Sequence, residues 1–258
     1  MTNIQFHSGA IDAGECVSAG WDLVKPNYWM YFGVTLVGVL LISCIPCINL
    51  FLIGPVGVGI YYVLLRSMRG EPVDFGMMFK GFEKFVPAMA VGLIQAFPGI
   101  VWTVVDYAVN LASIIPTLSR GGDLSELQRG TDVFGTGFSI GYALFALIFM
   151  VVSIVWGISF IFALPLLADH DLNPIDALKL SASAAWSNLG GLILLGILLL
   201  LISIVGFFAL CVGIFFVLPV LYAAFAVAYR EVFPMVDQRF NYAPPPPTEY
   251  GSFGSGMN

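Results

Sequence analysis

The chain reads as an all-α membrane protein with six transmembrane helices. Three features predict it: scarce charge, long uncharged runs, and basic residues gathered on one side of those runs. Of 258 residues, 59% are hydrophobic and only 10% charged, with a mean hydropathy of +0.93. A soluble domain carries about 25% charged residues because its surface must be solvated. This chain has too few to cover a globule of its own size. A bilayer-crossing helix needs about 20 apolar residues, and the uncharged runs supply them.

The runs can be taken in order. Met1 to Lys25 has no basic start, and Asp12, Glu15 and Asp22 interrupt its apolar residues. It is not expected to be a cleaved signal, so the first span serves as its own insertion signal. Between Lys25 and Arg66 lie 40 residues without charge, enough for two helices and a short turn near Cys44 to Asn49. Span one is then Tyr28 to Ile45 and span two Ile48 to Leu65. A third span runs from Phe85 to Val105, where Pro87 and Pro98 free carbonyls that neighbouring helices can satisfy. The fourth, Phe138 to Ala168, has 31 uncharged residues and must tilt or extend past the bilayer. Leu189 to Tyr229 divides into two more spans, with a turn at Ser203 to Phe207 marked by Gly206. The organisation is therefore an N-terminal segment with an interfacial helix (1–27), a six-span domain (28–229) and a Pro/Gly-rich disordered tail (230–258).

Lys and Arg in short loops mark the cytoplasmic side. One side of the six-span arrangement holds Lys25, Arg66, Arg69, Lys80, Lys84, Lys179, Arg230 and Arg239; the other holds only Arg120 and Arg129. Both termini are expected in the cytoplasm. The formal net charge of −6 argues against nucleic acid, whose phosphates require clustered cations.

The first two and last two spans look alike. "IDAGECVSAGW" (Ile11 to Trp21) matches "IDALKLSASAAW" (Ile175 to Trp186) with one insertion, and Pro55 and Pro219 precede Arg66 and Arg230 by eleven residues each. With an even number of spans between them, the copies would be parallel repeats about an axis along the membrane normal. Chance likeness of two apolar hairpins is the competing explanation. In the second copy Asn173 can cap a helix, Pro174 suits its first turn, and Asp176 favours the positive dipole end. Ile175, Leu178, Ala182, Ala185 and Trp186 would form a face lying in the headgroup region. Another interfacial helix, capped by Asp74, would show Phe75, Phe79 and Phe82 at i, i+4 and i+7. Lys80 and Lys84 would then meet anionic lipid heads.

The stretches "GPVGVGIYYVLLRSMRGEPVDFGMMFKGFEKF" and "LPLLADHDLNPIDALKLSASAAWSNLGG", with the ending "AYREVF", resemble a broad group of bacterial integral membrane proteins of unknown function. They are also similar to the membrane portion attached to some glycerophosphodiester phosphodiesterases. The resemblance spans most of residues 10 to 235. It implies fold and a bacterial inner-membrane location, and no activity. The phosphodiesterase barrel needs paired histidines and metal-binding carboxylates, whereas this chain has only His7 and His170 and no soluble segment of that size.

Candidate chemistry is sparse. Cys44 and Cys47 form a C-x-P-C run at the outer turn of the first hairpin, where a disulfide is permitted. As a redox pair they would exchange electrons with a thiol protein and a quinone. Such enzymes pass the disulfide to a second cysteine pair, yet the outer segment Tyr107 to Gly137 has no cysteine. A structural disulfide or two idle thiols around a Pro46 turn is the simpler reading. Asp169, His170 and Asp171 concentrate possible metal ligands, but adjacent side chains rarely converge on one ion. A solvated exit loop is expected there, with no metal. Gln95 and Asp106, in or beside span three, are possible intramembrane polar sites. Gly54, Gly57, Gly59, Gly190 and Gly191 are expected to permit close helix packing; "GVGIYY" lies inside the membrane and is no phosphate loop, and no cofactor is called for. The polar stretch around Leu124 to Arg129 reads as a short outer helix. The tail "NYAPPPPTEYGSFGSGMN" favours polyproline II, a spacer or a ligand for a protein partner, with disorder and no partner as the simpler reading.

The expected function is therefore non-enzymatic: an organising, lipid-interacting or partner-binding membrane protein. The first alternative is a small-solute transporter or channel, which requires a polar mid-membrane cavity lined by Gln95. The second is a thiol–disulfide oxidoreductase using Cys44 and Cys47.

Overall fold

The computed structural model describes residues 4–43, 49–119, 136–208 and 213–234, with residues 113–119 and 136–139 described by backbone alone. Every regular element among them is helical. The α-helices are α1 (Ala13–Val24), α2 (Tyr28–Ser43), α3 (Asn49–Met68), α4 (Phe85–Ser119), α5 (Thr136–Ser159), α6 (Ala163–Asp169), α7 (Pro174–Ser187), α8 (Leu189–Phe208) and α9 (Gly213–Val232). Six helical stretches are long and apolar enough to cross a membrane. The protein is an all-α polytopic membrane protein.

Helix α3 is the centre. From Gly54 to Leu65 every residue except Tyr62 is buried, and α2, α4, α6, α9 and the segment preceding α4 all pack on it. Glycine makes this possible. A β-carbon on Gly54 would overlap the Ala88 carbonyl, and one on Gly92 would meet the Gly54 backbone, so α3 and α4 touch main chain to main chain. Small residues allow such approach in membranes, where packing rather than water exclusion drives association. Gly57 and Gly191 are similarly crowded, by Leu164 and Ile11. Gly190 is not, having open space beyond its α-carbon.

Several boundaries differ from the sequence reading. The fourth span does not run straight: α5 ends at Ser159, and α6 starts afresh at Ala163. The buried Ser181 hydroxyl compensates the break by accepting from the Phe162 N–H (3.1 Å) and donating to the Ser159 carbonyl (3.0 Å). Helix α8 runs on through the expected turn at Ser203 to Phe207 as far as Phe208, with Gly206 inside it. Helix α4 runs on past Val105 to Ser119, with Asp106 and Asn110 paired along it (2.8 Å and 3.1 Å). The expected outer helix at Leu124 to Arg129 and the tail from residue 235 lie outside the described residues.

The N-terminal helix packs one face on the second hairpin and leaves Glu15, Trp21 and Asp22 exposed. Asp12 caps α1 by accepting from Gly14 N and Glu15 N. Gly20 then lies against the Ala223–Ala224 backbone, and Ala13 and Cys16 pack with Leu195, Leu199 and Ala228. Helix α1 thus belongs to the α8–α9 hairpin. Helix α7 turns Ala177, Leu178, Ser181, Ala184 and Ala185 inward and leaves Ile175 and Trp186 exposed, so the expected Ile175–Leu178–Trp186 face is split. Asn173 holds the cap position of α7, but its side chain makes no capping bond.

The two hairpins keep a measurable likeness. Helices α3 and α9 are each 20 residues long, with Pro55 and Pro219 at the seventh position and Arg66 and Arg230 at the eighteenth. Their C-terminal ends lie at the same end of the bundle, since Arg69 just beyond α3 and Arg230 of α9 meet one carboxylate.

Candidate functional site

Arg66, Arg69, Lys84 and Arg230 gather at that end. Asp169, the last residue of α6, is only 6% exposed. Its carboxylate accepts both Arg230 terminal nitrogens at 2.6 Å and 2.8 Å, the Arg69 guanidinium at 3.0 Å and the Tyr229 hydroxyl at 3.1 Å. Arg69 also pairs with Glu71 at 2.9 Å, and Glu71 with Arg66 at 2.8 Å. Bidentate guanidinium–carboxylate pairing is directional as well as strong, so this cluster fixes the ends of α3, α6 and α9 relative to each other. The expected solvated loop is corrected here: Asp169 is a buried anion among cations, whereas Asp171 alone of the three is fully wet at 94% side-chain exposure.

His170 lies 3.5 Å from the Asp169 carboxylate. Burial pushes its pKa below the ordinary 6.5, opposed by Asp169 and aided by the charges of Arg230, Lys84 and Arg69. Among the described residues no three His, Cys, Asp or Glu side chains are arranged to hold a metal. The Lys84 ammonium is spent inside the chain, donating to the carbonyls of Leu167 (3.0 Å) and His170 (3.1 Å) and pairing with Asp171 at 2.6 Å. That hydrogen bond and charge hold the Asp171 carboxyl below its usual range.

Phe75–Lys84 is a 3-10 helix rather than an α-helix, and its faces therefore repeat every three residues. Met78 and Gly81 point inward, Met78 being fully buried, and Lys84 follows them in register. The rings of Phe79, Phe82 and Phe85 line up instead, with centroids 6.2 Å and 6.3 Å apart. Phe75 and Phe79 are exposed, Phe82 is partly buried against the core, and Lys80 pairs with Glu83 at 3.0 Å. The expected grouping of Phe75, Phe79 and Phe82 is kept, the Phe75 and Phe79 centroids being 6.3 Å apart, and Phe85 extends it, although the segment is a 3-10 rather than an α-helix. Asp74 caps the segment by accepting from Met77 N at 3.2 Å. Trp186 is exposed and donates its indole N–H to Ser159 Oγ at 3.2 Å.

Deeper in the bundle, Gln95 donates to the Phe160 carbonyl at 2.6 Å, in the break after α5. One turn away, Pro98 has no N–H to offer the Ile94 carbonyl, and the Trp156 indole donates there at 2.8 Å. Gln95 and Trp156 thus satisfy backbone carbonyls at the two irregularities between α4 and α5. Gln95 also lines a cavity of about 240 Å³ together with Tyr61, Tyr222, Gly157, Ile161 and Leu164. Asp106 is not part of it: it accepts from the Tyr142 hydroxyl at 3.4 Å, three helical turns from Gln95. Cys44 and Cys47 lie outside the described residues. Sequence reasoning missed Arg230 as the partner of Asp169 and the two tyrosines of the cavity. The one available signal for the former was that Asp169 and Arg230 each terminate a long uncharged run.

Comparison with known proteins agrees with the membrane character. The chain is 28% identical over 203 residues to a probable inner membrane protein of Burkholderia thailandensis, covering 75% of this chain and 70% of that protein. No protein family model matches the chain. No solved structure matches it either. This is an integral membrane protein similar to a bacterial inner membrane protein.

Proposed function

We propose that the protein is a non-enzymatic organiser of the bacterial inner membrane, contacting lipid headgroups from its basic end with both termini in the cytoplasm. The observation that carries this reading is the Phe75–Lys84 segment. Its Phe79–Phe82–Phe85 ridge and exposed Lys80 sit beside the Arg66, Arg69 and Arg230 cluster, joined to it through Lys84 and Asp171. Aromatic rings and cations at one end of a bundle suit the bilayer interface and the anionic cytoplasmic leaflet. The positive-inside rule assigns that end to the cytoplasm.

A second reading, transport of a small uncharged solute, is favoured by the cavity that Gln95 lines. One pair of measurements separates the two. Purified protein should retain anionic phospholipid in native mass spectrometry, and Phe79→Ser with Lys80→Gln should reduce that retention several-fold. In liposomes it should pass no solute beyond empty vesicles. Unchanged lipid retention in the double variant, or robust solute flux, would count against the organising role.

A further inference from the structure

The cavity lies between α2, α3, α4, α9 and the break that follows α5. Its site does not depend on the interfacial ridge. Ile42, Ile53, Ile161 and Leu164 supply its aliphatic wall, and among the described residues no lining side chain carries a charge. A permeating ion would find no counter-charge, and burying one unpaired is costly. The polar groups present are two phenols and one amide. Tyr61 is 7% exposed, and its ring meets that of Tyr222 edge-on with centroids 5.8 Å apart. Among the described residues neither phenol hydroxyl has a hydrogen-bond partner. One of the two Gln95 amide N–H groups is used on Phe160, and its amide oxygen remains an acceptor. The cavity therefore offers two unused O–H donors in apolar surroundings, where an unmade hydrogen bond is unfavourable.

A group that completes this set must be uncharged, mostly apolar and able to accept hydrogen bonds. At about 240 Å³ the space is slightly below that of a drug-sized site, typically about 300–1,000 Å³. It fits a ring or a short polar head whose tail stays in the bilayer. Gly157 leaves one side open, since a side chain begun there would meet nothing within 4 Å. We propose that this cavity binds the uncharged, carbonyl-bearing head of a membrane-soluble lipid, with Tyr61 and Tyr222 donating to its oxygen atoms. A quinone ring and the ester carbonyl of a neutral glycerolipid share this chemistry.

The test uses the full chain in detergent with three probes: a decyl-substituted benzoquinone, dioctanoylglycerol, and decylbenzene as an apolar control without carbonyls. Binding is read as one-to-one adducts in native mass spectrometry and as a rise in melting temperature. At least one carbonyl probe should bind, and the one preferred identifies the source. Tyr61→Phe with Tyr222→Phe should weaken it at least tenfold while leaving the unliganded melting temperature near wild type. Gly157→Phe should weaken it similarly by filling the cavity. The proposal is overturned if neither carbonyl probe binds. It is equally overturned if decylbenzene binds as well as they do, or if the double tyrosine variant binds like wild type.

Discussion

At the level of single residues, Asp169 governs the basic end. Four donors from Arg230, Arg69 and Tyr229 converge on it while it is almost wholly buried. Removing one member of a buried ion pair leaves the other desolvated and uncompensated, at about 3–5 kcal/mol. Asp169→Asn keeps the shape and deletes the charge, so it should destabilise the fold by about that amount, read as a lower melting temperature in detergent. A melting curve superimposable on wild type would show that the cluster is decorative. His170 gives a dependence on pH. Its pKa is depressed in the fold by burial and by neighbouring cations, so the unfolded chain takes up a proton more readily. The stability contributed by neutral His170 is present above about 6.5, the ordinary value, and is lost as pH falls below it. Melting measured from pH 8 to 5.5 should slope less in His170→Gln than in wild type. Identical slopes would remove His170 from the account.

Among elements, the contact of α3 with α4 and the 3-10 segment is made by glycine against backbone. Gly54→Val would force α3 away from Ala88 and Gly92, and overpacking of this kind costs about 1–3 kcal/mol. Gly196→Ala, on a face of α8 with open space, should stay within about 0.5 kcal/mol of wild type or gain slightly. Equal stability of the two variants would mean that α3 is not held by close approach. These contacts were partly legible in the sequence. Glycines at 54, 57 and 59 within an apolar run implied close packing, but their partners Gly81 and Gly92 carried no mark distinguishing them from other glycines. The grouping of Phe75, Phe79 and Phe82 was legible from their spacing, but the helix type of the Phe75–Lys84 segment was not. Packing of Met78 and Gly81 on α3 selects the 3-10 geometry. The expectation that neighbours would satisfy carbonyls freed by proline has a concrete form in Trp156 and Ile94.

For the molecule as a whole, the fold class and the number of spans follow from charge scarcity and run length. A bilayer permits only structures whose backbone bonds are satisfied within the spanning element, and an uncharged run of sufficient length has the helix as its solution. The likeness of α3 and α9, with proline and arginine at matching positions, was equally visible in one dimension. The break in the fourth span, the docking of α1 on the second hairpin and the burial of Asp169 were not. Each depends on a partner distant in the chain: Ser181 for the break, Ala224 for α1, Arg230 for the carboxylate. Hydrophobicity is a property a residue carries with it, so the chain alone settles which segments enter the membrane. Whether a charge is solvated, a helix is interrupted or a tyrosine faces a cavity is set by what stands opposite, and only the assembled bundle decides that.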